Sequence, residues 1–236
     1  MPELPEVYAL STALNKLGFE TDVYGKHLLL KNRETEKKNT NKDKNTNTIE
    51  DWSFGLEGTV YLKYKDNQKI NTKKTTAEDF ELLKIEHNAF SGDKLEFNSV
   101  EEFIKTRKLG INLLNATEND IYPIVEKWQN SRKMLGPLLL NQEDIAGIGV
   151  AWGSEILNNA DLLPNVSAKL QDLTNLTDSI IYTRDKSIET YNKYVKNNNP
   201  VEIVNNWFRN LYKVREMNVY KIGKSVKAYG RDWWIN

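Results

Sequence analysis

The chain has 236 residues, of which 39% are hydrophobic and 28% charged, with 33 basic side chains balanced by 33 acidic ones and no cysteine. That apolar content can bury one large core or two smaller ones joined by a linker, the second being expected, while the absence of cysteine excludes disulfides and thiolate metal sites and leaves His27 and His87 as the two soft ligands, so neither a metal nor a cofactor is expected. With no run of about 18 apolar residues and no charged-then-apolar leader, the sequence predicts an intracellular protein that does not enter a membrane.

Leu4, Val7, Leu10, Leu14 and Leu17 recur at spacings of three and four, and Gly18 is a stop signal, so residues 3–17 read as an amphipathic helix. Leu28, Leu29 and Leu30 read as a short strand. Residues 32–48 contain no hydrophobic side chain and read as a solvated loop. Strand-like segments follow at Trp52–Lys63, Leu95–Phe97 and Ile111–Leu114, which makes residues 1–120 a β-rich domain with a leading helix. From Tyr122 the pattern turns helical: Ile124–Trp128, Leu135–Leu140, Val150–Asn159, Val166–Leu173, Ser179–Val195 and Pro200–Tyr212, the last with Asn199 as N-cap and Pro200 at the first helical position. Gly147-Ile148-Gly149 precedes an apolar helix and forms a start whose unpaired backbone amides suit an anion. Met217–Val226 and Lys227–Ile235 read as two strands turning near Gly223.

Charge is unevenly divided. Residues 213–236 hold Lys213, Arg215, Lys221, Lys224, Lys227 and Arg231 against Glu216 and Asp232, a local charge of +4 that leaves −4 for the remainder. A short basic segment of this kind can meet phosphates without making the whole protein basic.

Met1-Pro2-Glu3 is the sharpest chemical feature. Removal of Met1 leaves a secondary amine at Pro2, and an α-amino group titrates near neutrality, more so at the positive end of a helix. Condensed with an aldehyde-level carbon, that amine gives a cationic iminium; at C1′ of a deoxyribose the iminium acidifies C2′ and allows elimination of the 3′ phosphate, with Glu3 beside it to move protons. Read alone, Pro2 and Glu3 also suit a plain helix start, and N-terminal proline serves as a general base in small tautomerases, whose chains are far shorter.

The opening Met1-Pro2-Glu3-Leu4-Pro5-Glu6-Val7 resembles the start of the formamidopyrimidine-DNA glycosylase and endonuclease VIII family. The resemblance resumes in order along the chain. Tyr24-Gly25-Lys26-His27-Leu28-Leu29-Leu30 is similar to the family's hairpin lysine and following strand, Phe54-Gly55-Leu56-Glu57-Gly58 to its intercalation loop, and Arg107-Lys108-Leu109-Gly110 to its arginine-rich segment. Leu138–Pro164, with Ala146-Gly147-Ile148-Gly149, is similar to its helix-two-turns-helix motif, and Gly230-Arg231-Asp232-Trp233-Trp234 to the end of its finger hairpin.

The resemblance implies an α+β fold: an N-terminal β-sandwich with a leading helix (1–120), a helix-two-turns-helix domain (121–212) and a zincless β-hairpin finger (213–236). It implies a base-excision-repair glycosylase with AP lyase activity, a monomer acting on double-stranded DNA that contains oxidised bases or abasic sites. Pro2 is the implied nucleophile, Glu3 and Glu6 the proton-transfer groups, and Lys26 a phosphate contact. Leu56, Arg107 and Leu109 would fill the gap left by an extruded base, Gly147 and Gly149 would meet backbone phosphate, and Arg231 would enter the minor groove. Lys26 read alone is a solvated turn lysine, and the two leucines read alone suit a core equally.

The departures are also specific. The four zinc-binding cysteines of the family's finger are absent, Lys26 comes early because strands that usually precede it are missing, and Leu109 replaces an aromatic wedge. Val150 stands where the family has a phosphate-binding asparagine, a change that weakens DNA affinity by about 1–3 kcal/mol if that bond is made. The short interval from Tyr212 to Val219 leaves little room for a loop capping oxidised guanine, which favours oxidised pyrimidines and ring-opened or further-oxidised purines. These departures also keep open a second class of function, a DNA-binding protein on the same scaffold with impaired catalysis.

Overall fold

The computed structural model describes residues 2–31, 48–54, 59–64, 80–85 and 93–236. Helix α1 (Leu4–Lys16) begins two residues after Pro2, with Glu3 as its extended N-cap and Pro5 in the first turn, where a missing amide costs nothing. Leu4, Val7, Leu10 and Leu14 are all at most 1% exposed, so the three-and-four spacing does mark one fully buried face. Gly18 ends the helix at φ +91°, and the Phe19 amide turns back to the Leu14 carbonyl.

Strands β1 (Thr21–Tyr24), β2 (His27–Lys31), β3 (Ile49–Ser53) and β6 (Lys94–Phe97) form one antiparallel sheet in the order β1-β2-β3-β6, while β4 (Thr59–Tyr64) and β5 (Phe80–Ile85) pair as a second. Gly25 and Lys26 are the two-residue turn between β1 and β2; Gly25 takes φ +57°, and a Cβ there would lie 2.8 Å from Ala146 Cβ. That close approach packs the Lys26 turn against the glycine-rich segment of the second half of the chain. Both sheets contribute to the cluster that α1 buries, through Val23, Leu28 and Trp52 on one and Val60, Leu62 and Phe80 on the other. The α+β reading of the N-terminal half therefore holds.

The helical half comprises α3 (Glu118–Gln129), α4 (Leu135–Leu139), α5 (Val150–Asn159), α6 (Leu176–Asn197), α7 (Pro200–Asn205) and α8 (Trp207–Val214). A two-residue parallel bridge of β7 (Ile111–Asn112) with β8 (Ile145–Ala146) joins it to the first half. Long α6 buries Ile180, Thr183, Ser187, Tyr191 and Val195 in one stripe and packs against both α1 and α5. The chain ends in an antiparallel hairpin, β9 (Lys224–Ala228) with β10 (Arg231–Ile235), closed by Tyr229 and Gly230 at φ +49° and +75°, the pair of positive values that a tight twisted hairpin turn needs. Trp233 of this hairpin is fully buried against α4 and α5, where a Cβ on Gly136 or Gly153 would lie 2.8 or 3.0 Å from its ring. No helix among the described residues is long and apolar enough to cross a membrane.

Several elements differ from expectation for identifiable reasons. Helix α2 (Val100–Arg107) was not anticipated in a β-rich region; Ser99 caps it by accepting the Glu102 amide, a Ser-x-x-Glu signal with Phe103 as its one buried side chain. Val166–Leu173 forms only a 3₁₀ turn at Ala168–Leu170, because Gln171 is extended and its side chain bridges Leu163 and Val166. Pro200–Tyr212 is broken at Asn206 (φ −122°, ψ 16°), beyond which Trp207 is buried against Phe54. The final hairpin turns at Tyr229-Gly230 rather than near Gly223, whose amide closes a separate turn onto the Val219 carbonyl. The expected strand Ile111–Leu114 shrinks to Ile111–Asn112, and the polar run at 32–47 lies outside the described residues.

The base of the hairpin is held by Glu155 of α5, a carboxylate only 2% exposed that accepts the amides of Asn218, Val219 and Tyr220 at 2.8–2.9 Å and Asn218 Nδ2 at 3.1 Å. Each buried amide left unpaired costs about 1–3 kcal/mol. Glu155→Ala is therefore expected to lower unfolding free energy in urea by at least that amount and to accelerate amide exchange at 218–220; unchanged exchange there would show that the carboxylate is not what holds the segment.

Candidate active site at the N-terminal turn

Glu3 is 4% exposed, and its carboxylate is enclosed by backbone. Oε2 accepts the amides of Gly149 and Trp152, each at 3.1 Å, and Oε1 accepts the Ala151 amide at 3.0 Å. The helix start expected to meet an anion holds an internal one, the Glu3 carboxylate. The Gly149 amide goes to Glu3, the Gly147 amide to Gln142 Oε1 (2.9 Å), and the Gly147 carbonyl takes the Leu4 amide (3.2 Å). Glycine at 149 is a packing requirement, since a Cβ would lie 2.3 Å from Glu3 Cδ.

Burial raises the Glu3 carboxyl above its ordinary value, with Glu6 adding to the effect and Arg215, Lys26 and the Trp152 amide opposing it. Lys26 faces Glu3 from the β1–β2 turn; desolvation lowers its amine, Arg231 adds to that, and Glu3 and Glu6 oppose it. Arg231 is exposed on β10. Pro2 is buried beside Glu3. The structure therefore brings together Pro2, Glu3, Glu6, Lys26 and Arg231, residues that the sequence spreads from one end to the other.

Glu6 is 1% exposed and has four donors: the Glu3 amide (2.9 Å), Trp152 Nε1 (3.2 Å), Tyr191 Oη (2.9 Å) and Arg215 Nε (2.6 Å). With these four donors Glu6 anchors the first turn of α1. Arg215, counted with the basic tail, has a side chain only 4% exposed and is paired with Glu6, so it is withdrawn from any phosphate surface.

Arg107 is likewise engaged. Its guanidinium bonds Asp51 through Nε (2.7 Å) and both oxygens of Asp93 (2.8 and 2.9 Å), while fully buried Asp51 also pairs with His27 Nδ1 at 2.8 Å. Two carboxylates thus hold the guanidinium at the end of α2. Leu109 is half-buried against the small cluster of Leu29, Phe97 and Phe103. Leu56 lies outside the described residues. Val150 is half-buried against the core at the first position of α5. Among the described residues no group of three or more His, Asp or Glu is arranged to hold a metal.

Arg215, Trp152, Tyr191 and Glu155 are the site residues that sequence reading missed. Glu155 had a signal, a carboxylate on the apolar face of a helix three residues from Trp152. Arg215 had only its tyrosine neighbours. A groove of about 700 Å³ runs between Arg132, Lys133, Met134 and Leu138 and the hairpin tip, where Tyr229 is 85% exposed.

This arrangement of an N-terminal turn on a β-rich half, a glycine-started helix and a terminal hairpin is the fold of the formamidopyrimidine-DNA glycosylases. Among the solved structures that share it is the Lactococcus lactis formamidopyrimidine-DNA glycosylase bound non-covalently to DNA containing an AP site, with TM-score 0.65, 17% identity, and 99% of this chain and 97% of that one covered. A point mutant of that enzyme with Fapy-dG DNA gives TM-score 0.66 at 18% identity over the same shares, and MutM with carbocyclic 8-oxo-G DNA gives 0.65 at 18%, again over 99% and 97%. No family model and no curated protein sequence matches the chain. The likeness is one of fold, and the cysteine-free hairpin occupies the chain's end.

The raised Glu3 carboxyl has a thermodynamic signature. A carboxyl raised in the folded state holds its proton where the unfolded chain has lost it, so stability falls as pH rises from about 4.5 through the Glu3 value and then levels. Glu3→Gln removes that slope. Urea unfolding from pH 4 to 9 should show the difference between Glu3→Gln and the parent moving in favour of the variant across this window, by up to about 1.4 kcal/mol per pH unit; parallel curves would mean that Glu3 titrates normally.

Proposed function

We propose that this chain is a DNA glycosylase with AP lyase activity, acting on double-stranded DNA that contains oxidised bases or abasic sites. The observation that supports it most is the lashing of Glu3 to the start of α5 next to Pro2, with Lys26 facing the same carboxylate. After loss of Met1, the Pro2 amine attacks C1′ as the damaged base departs with a proton, and loss of the ring oxygen's bond to C1′ gives the iminium. A C2′ proton is then removed and the electron pair expels the 3′ phosphate, leaving the iminium to be hydrolysed by water. Glu3, with its carboxyl raised by burial, suits proton delivery in the first stage and proton return in the second. Lys26 and exposed Arg231 supply positive charge for the phosphates and the groove.

For this activity we divide the chain as the sequence was read: a catalytic unit over 1–120, a helix-two-turns-helix unit over 121–212 and the hairpin finger over 213–236, acting as an intracellular monomer. A second reading, a damaged-DNA-binding protein with impaired catalysis, is favoured by Arg107 being held by Asp51 and Asp93 and by apolar Val150 at the start of α5.

Borohydride trapping on a duplex with one abasic site separates the two. The processed protein should give a covalent adduct, and a form that retains Met1 should give none while binding the duplex within a few-fold of the processed form. An adduct of equal yield with Met1 in place would exclude Pro2; no adduct from the processed protein would favour the binding-only reading.

A further inference from the structure

Arg215 is left over by the reaction above, although it is a buried cation at the site. It lies between α8 and β9, its side chain is 4% exposed, and its guanidinium carbon sits 4.2 Å from the Tyr212 ring centroid and 5.8 Å from that of Tyr220. Nε donates to Glu6 Oε1 at 2.6 Å, while Nη2 is buried without a hydrogen-bond partner among the described residues. A buried ion pair is weak evidence for stability, because packed apolar side chains often serve as well. The location of this pair is what needs explaining. The other oxygen of Glu6 accepts the amide of Glu3, and the Glu6 oxygen that meets Arg215 also takes Trp152 of α5 and Tyr191 of α6.

We infer that Arg215 is a positioning residue for the N-terminal site: through Glu6 it fixes the first turn of α1, and it supplies the buried positive charge against which Glu3 works. The inference rests on the reading of Glu3 as the proton-transfer residue. Several packed elements contribute to the field at that carboxylate, and Tyr191 of α6 meets its neighbour Glu6. Glu6 faces it from α1, Lys26 from the β1–β2 turn, the amides of Gly149, Ala151 and Trp152 from α5, and Tyr212, Arg215 and Tyr220 from α8 and the segment after it; Arg231 of β10 acts through Lys26. Arg215 and Lys26 favour the carboxylate, and burial and Glu6 favour the acid, with the pull of Arg215 larger than the push of Glu6. Removing the Arg215 charge must then raise the pH at which Glu3 gives up its proton.

The test is a pH titration of the Glu3 side-chain carboxyl by ¹³C NMR in the full chain, the resonance being assigned by its loss in Glu3→Gln. Arg215→Gln should move the midpoint up by about one pH unit or more, the scale of a lost neighbouring charge. Arg215→Lys, which keeps the charge, should lie closer to the parent. An unmoved midpoint in Arg215→Gln, or equal displacement by Gln and Lys, would overturn the inference. Should Arg215→Gln not fold, the double variant Glu6→Gln/Arg215→Gln removes both charges of the pair. Its midpoint should rise by less than the loss of Arg215 alone implies, and one that stays or falls would overturn the inference equally. Because the titration needs no turnover, a parent protein that titrates as described but forms no adduct with abasic DNA would sink the glycosylase reading and leave the charge relation standing.

Discussion

Three backbone amides at the start of α5 hold the Glu3 carboxylate, and the arrangement of both chain ends follows from that contact. A helix start presents unpaired amides and the positive end of the helix dipole, so it seeks an anion. Here the anion comes from the residue next to Pro2, and Gly149 leaves no side chain in the way. The same helix reaches the other terminus through Glu155, which collects the amides of 218–220, and through Gly153, against which Trp233 packs. One ten-residue helix therefore fixes the first turn of the chain and its last hairpin relative to each other.

That arrangement explains how a chain of zero net charge can have the electrostatics proposed for it. Of the basic residues after 212, Arg215 is consumed inside the fold by Glu6, which leaves Lys213, Lys221, Lys224, Lys227 and Arg231 exposed. Arg132 and Lys133, also exposed, line the groove that Tyr229 borders. The interior charges work differently. Glu3, Glu6, Lys26 and Arg215 lie where water screens them poorly, so each acts on the proton affinity of its neighbours.

Much of the fold was legible because its elements obey local rules. The buried face of α1 follows its leucine spacing, and α5 begins at the residue after its two glycines. Elements defined by few apolar residues were not legible: α2 has one buried side chain, and the break at Asn206 depends on where Trp207 must pack. Pro2, Glu3, Lys26 and Arg231 could be nominated from motif and chemistry. The pairing of Arg215 with Glu6 and of Arg107 with Asp51 could not, because both arginines look like surface cations until the fold brings each carboxylate beside them. A helix start with free amides predicts an anion, and only the tertiary structure shows that Glu3 is that anion.

The hold of α5 on Glu3 can be tested at one atom. Gly149 has φ −122°, which alanine adopts without strain, so Gly149→Ala adds a methyl group whose main obstacle is the Glu3 carboxyl 2.3 Å away. Single-turnover release of an oxidised base from a duplex, measured for Gly149→Ala and the parent at matched folded fractions, reads the consequence. If Glu3 must be held by α5 to transfer its proton, release should fall by roughly 100-fold or more, the range for a misplaced general acid. Release at the parental rate from folded Gly149→Ala would contradict the account.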